Sequence, residues 1–212
     1  MKKFFAMLIA AAALLTTNAL SANEDAVKAV ITDMMNKCAT LDFAGVLSHL
    51  TKDYQTVDAY GAIKTYEKVA AEGMQYDKFI KPILAIRKQL EKTDDLIALM
   101  EMFEKITGHK TTAQDKEALK KLPAEQQKAL VAKIKQDLNK AFAQLDEGIA
   151  DGKKFRDSAQ FVSVKIEGDN ATAVYTVVKT FIKGQQKLTN TTTLIKQNGK
   201  WMIRKEVWTV EK

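Results

Sequence analysis

The last quarter of the chain constrains the fold most. From Gln160 onward it is rich in Val, Thr, Ile and aromatic residues and is cut by turn signals at regular intervals. QFVSVKI alternates, with Val162, Val164 and Ile166 on one face, and EGDN turns it. ATAVYTVVKTFI runs to Lys183-Gly184, QKLTNTTTLIK runs to Gln197-Asn198-Gly199, and KWMIRKEVWTV closes the chain. Asn-Gly is the strongest short hairpin signal. Four strands of about ten residues, joined by tight turns, predict an antiparallel meander that twists and curls. Alternation puts Thr189, Thr191, Thr193 and Ile195 on the face of Trp201, Ile203, Lys205 and Val207, with Trp208 on the opposite face. On the second strand Tyr175, Val177, Lys179 and Phe181 share a face.

The front of the chain is of different material. Val27, Val30, Ile31, Met34, Met35 and Cys38 recur at spacings of three and four, one face of a helix. Phe43, Val46, Leu47 and Leu50 repeat the pattern in a shorter helix, with Asp42 placed to cap it. DYQTVDAYG follows as a strand ending at Gly61, then a short helical segment over about Ile63 to Glu72. Residues 77–152 are helical almost throughout. Thr93 or Asp94 caps a helix carrying Leu96, Leu99, Met100, Phe103 and Ile106 that stops at Gly108. Thr112 caps a short one, and Pro123 opens a long one, Val131 to Ile149, that Gly152 ends.

The first residues stand outside this pattern. MKKFFAMLIAAAALLTTNALSA has two lysines, an apolar run too short for a bilayer span and a small-residue end, which predicts a secretory signal peptide cleaved after Ser21 or Ala22. Its removal takes 22 of 212 residues and leaves 190, with the net charge lowered from +7 to +5 by the loss of Lys2 and Lys3. The expected location is therefore periplasmic or secreted, with no stable membrane span after cleavage. The remaining basic residues are interspersed with acids, which argues against nucleic-acid binding. Cys38 is the only cysteine, so no disulfide forms within the chain, and its place on an apolar helix face predicts a small buried hydrophobe. No His/Cys/Asp/Glu cluster has metal spacing, and no phosphate-binding glycine loop occurs, so no cofactor is expected. Asn170-Ala-Thr and Asn190-Thr-Thr match a glycosylation acceptor but lie in or beside strands.

Helix, short helix, strand, helix and a long meander ending in Asn-Gly-Lys-Trp resemble the nuclear transport factor 2-like superfamily, which includes ketosteroid isomerase-like and SnoaL-like domains. The residues that carry the resemblance are TLDFAGVLSHLTKDYQTVDAYG, IEGDNATAVYTVV and LIKQNGKWMIRKEVW. The resemblance implies an α+β fold in which a curved antiparallel sheet wraps over the N-terminal helices to make a cystatin-like cone. It would cover residues 23–76 and 153–212, with residues 77–152 as an inserted all-helical subdomain.

The resemblance also implies where a site would lie. Asp58 falls where ketosteroid isomerases carry their proton-abstracting carboxylate, and burial in an apolar cone would make it a better base. That chemistry needs donors for the enolate oxygen. Met34 and about Thr191 stand at the two donor positions, and methionine cannot donate. The dehydratases of this fold resemble an Asp-His pair, for which His49, near Asp53, and His109 are the only histidines. The pocket residues expected are Tyr54, Tyr60, Tyr175, Thr191, Trp201 and Ile203. The function expected is a noncatalytic module binding a small apolar ligand or a protein partner through the cone and the helical insertion. The alternatives are an isomerase or dehydratase using Asp58 and a structural subunit with a self-filled pocket. Pairing of two copies through the open sheet face is a further expectation, since it would cover an apolar surface.

Overall fold

A computed structural model of the chain describes residues 23–108, 110–181 and 184–211. The expected signal peptide, His109 and the Lys183 side of the second meander turn lie outside these residues. The chain divides into two compact units, one built from the N-terminal segment to Ala70 and from Ile149 to the C-terminus, the other from Ala71 to Gly148. Among the described residues no helix is long and apolar enough to cross a membrane.

The first unit is α+β. Helix α1 spans 23–39 and α2 spans Phe43–Leu47. Val27, Ile31, Met34, Met35 and Ala39 are buried along one face of α1, as the spacing predicts. Asp42 caps α2, its carboxylate accepting from the Gly45 N–H at 2.9 Å. Strand β1 is Leu50–Val57, β2 is Ile63–Thr65, and α3 starts at Tyr66 and runs to Gln75. The expected helix from Ile63 therefore begins three residues late, because Ile63, Lys64 and Thr65 pair with Val57, Thr56 and Gln55. The meander strands are β3 (Gln160–Glu167), β4 (Asn170–Phe181), β5 (Gly184–Gln197) and β6 (Lys200–Val210). The six strands lie in the order β2-β1-β6-β5-β4-β3. Because β1 runs parallel to β6, the sheet is mixed rather than purely antiparallel, with open edges at β2 and β3. The Asn198-Gly199 turn has positive φ at both residues (50° and 78°), the backbone a tight hairpin turn requires.

Two bulges change which side chains face inward. Between Phe161 and Ser163 the register of β3 shifts, so Val162 is extruded and 66% exposed while Phe161, Val164 and Ile166 pack on the core. Between Thr193 and Leu194 of β5 the partner on β6 jumps from Lys205 to Ile203. The extra residue on β6 reverses the alternation beyond it. Trp201 and Ile203 face the core before the bulge, and Glu206 and Trp208 face it after. This corrects the expectation that Trp208 opposes Trp201. On β5 the inward residues are Leu188, Asn190, Thr192 and Leu194. Thr191 pairs with Val207 on the other face, so it does not join Trp201 and Ile203.

The second unit is helical and has its own core. After α3 a π-helical turn, Tyr76–Ile80, leads to α4 (Lys81–Ala85), α5 (Arg87–Lys92), α6 (Leu96–Thr107) and α7 (Ala113–Lys120). Asp95, one residue past the expected caps, closes α6 at its start by accepting from Ala98 N–H at 2.7 Å, and Thr112 caps α7 as predicted. Leu90, Leu96, Leu99, Val131 and Phe142 form the core. Helix α8 runs from Ala124 through Gly148 and Gly152 to Asp157. Gly152 does not end the helix. It lies where a Cβ would come 3.4 Å from the Ala39 Cα, so its role is close packing against α1.

Candidate functional site

The bulge in β6 carries an acid into the core. Glu206 is 4% exposed on the inner face of the sheet. The Tyr54 hydroxyl donates to its Oε2 at 2.6 Å and the Tyr175 hydroxyl to its Oε1 at 3.2 Å. Tyr54 comes from β1 and Tyr175 from β4, so three non-adjacent stretches of sequence meet at one carboxyl. Removal of the carboxyl from water raises its pKa above the ordinary 4.5, against the two hydroxyls, which favour the charged form. Both tyrosine hydroxyls are themselves held far above their usual range, by burial first and then by Glu206.

The strand beside it continues the polar band. Thr192 stands directly across from Glu206, and Asn190 directly across from Tyr175 on one side and Trp208 on the other. Both Asn190 and Thr192 are fully buried. The Thr192 hydroxyl donates to Asn190 Oδ1 at 2.5 Å, while Asn190 Nδ2 has no protein partner. Leaving a buried amide N–H without a partner costs about 1–3 kcal/mol. Aromatic rings flank the band. Tyr175 stands edge-on to Trp208 at 5.8 Å between ring centres, Phe155 lies 5.6 Å from Trp208, and Phe161 lies 5.6 Å from Tyr175.

Cys38 lies near this band. It is exposed, which corrects the expectation of a buried hydrophobe. Loss of hydration at the thiol, together with the nearby Glu206, pushes its pKa up to about 11, against a smaller opposing effect of Lys64. Cys38 also adds to the upward shift of Tyr54. With so high a pKa the thiol is inert near neutral pH.

The residues expected from the sequence are only partly brought together. Tyr54, Tyr175, Trp201 and Ile203 are all buried on the inner face. Tyr60 is 75% exposed and lines nothing there. Asp58 lies outside β1, in the turn that follows it, and is exposed. Its Oδ1 accepts from the backbone N–H groups of Tyr60 and Ala62, both at 2.9 Å. These bonds hold its pKa below the usual carboxylate range, the opposite of what a base toward a carbon acid needs. Asp58 is thus the anchor of the β1–β2 turn, and the strand expected to run to Gly61 ends at Val57, because Tyr60 carries the β-like composition past the turn. His49 meets Asp33 of α1 at 2.8 Å, not Asp53, which instead accepts from Arg204. Among the described residues no group of three or more His, Cys, Asp or Glu is placed to hold a metal ion. Glu206 was missed altogether. Its one signal is the run Arg204-Lys205-Glu206, three charged residues where alternation allows one or two.

No family model matches the sequence, and no curated protein matches it. Solved structures similar to it include three from bacteria. An NTF2-like protein with a cystatin-like fold from Novosphingobium aromaticivorans shares 12% identity at a TM-score of 0.44, covering 93% of this chain and 87% of that one. An NTF2-like protein of unknown function from Pseudomonas putida shares 13% at 0.41, covering 89% and 87%. An uncharacterised protein with a cystatin-like fold from Caulobacter vibrioides shares 10% at 0.42, covering 89% of each.

Proposed function

We propose that this chain is an exported, noncatalytic binding module whose sheet unit takes a small, largely apolar ligand at its inner face. The observation that carries the reading is Glu206, a carboxyl buried between two tyrosine hydroxyls and bordered by aromatic rings. A core needs no carboxyl to be stable, since apolar replacement of buried charged groups is often neutral or favourable. A polar group kept among apolar and aromatic side chains is what a site uses to orient a ligand. The noncatalytic reading is supported by Asp58, whose exposed turn position and lowered pKa unfit it as a base.

Native mass spectrometry of the purified protein tests this. A reproducible added mass on the wild-type chain is expected, reduced or lost in Glu206→Gln with the circular dichroism spectrum unchanged. A bare mass for the wild type would favour the self-filled structural subunit, for which the fully buried Tyr175, Leu194 and Ile203 already provide a filled inner face. The same spectrum reads the number of copies and so tests pairing through the outer sheet face.

A further inference from the structure

We draw no further inference here: the strongest candidate, the exposed apolar patch that Tyr60 and Ile63 make at the hydrogen-bonded turn between β1 and β2, carries nothing because nothing in the structure shows what covers it.

Discussion

At the residue scale the chemistry converges on Glu206. Its folded-state pKa lies above the ordinary 4.5, so between those two values the folded chain holds more protons than the unfolded one. Stability contributed by this group therefore falls as pH rises through that window. Glu206→Gln removes the titration, so the variant should gain on the wild type as pH rises. Urea unfolding of both proteins at about pH 4 and about pH 8 measures the difference, which should grow in the variant's favour. An unchanging difference would mean an ordinary carboxylate. Glu104 behaves in the opposite sense. Lys116 Nζ donates to it at 2.9 Å and Thr111 N–H at 2.7 Å, and its pKa is lowered to about 2. Its contribution is complete above the ordinary 4.5 and is lost as pH falls toward about 2. Hydrogen exchange in α7, followed from about pH 5 down to about pH 2.5, should show protection lost in the wild type and already low in Glu104→Gln.

At the scale of elements, small backbone features decide which side chains meet. Removing Arg204 would delete the extra residue of β6 and turn Glu206 and Trp208 to the other face. The expected readout is a red shift of tryptophan emission with a lower unfolding midpoint. In α8 two glycines four residues apart should respond differently. Nothing lies within 4 Å of a Cβ built on Gly148, so Gly148→Ala should stabilise by about 0.5–1 kcal/mol through helix propensity. Gly152 faces the Ala39 backbone, so Gly152→Leu should destabilise, and thermal melts of the two variants should move in opposite directions. The same features set what could be read from the sequence. Alternation and Asn-Gly placed the four meander strands, and the three-and-four spacing placed α1 and the buried faces of the second unit. Alternation cannot show a bulge, because one extruded residue leaves the composition unchanged while exchanging the faces beyond it. That is why Trp208 is expected on the wrong face and Glu206 escapes notice, whereas Thr191 is misplaced because the two-residue Asn198-Gly199 turn sets Lys196, and with it the even positions of β5, opposite Trp201.

At the scale of the molecule, the two units have separate cores. Ile203 and Leu194 are fully buried in the sheet unit, and Leu99 in the helical one. Leu99→Ala should cost about 2–5 kcal/mol, the usual range for a buried leucine. Hydrogen exchange should locate that loss within Ala71–Gly148 and leave β4 to β6 protected. Equal loss in both units would show that they unfold as one. The parts proposed to bind all belong to the sheet unit, so ligand affinity should survive Leu99→Ala.

The binding reading turns on one carboxyl, Glu206, buried inside the sheet. The most direct test is a pH titration of the wild-type protein followed by the carbon-13 resonance of the Glu206 side-chain carboxyl, assigned by comparison with Glu206→Gln. Its midpoint is expected above the ordinary 4.5, the direction in which burial drives it. A midpoint at or below that value would contradict it, leaving an ordinary carboxylate under two tyrosine hydroxyls.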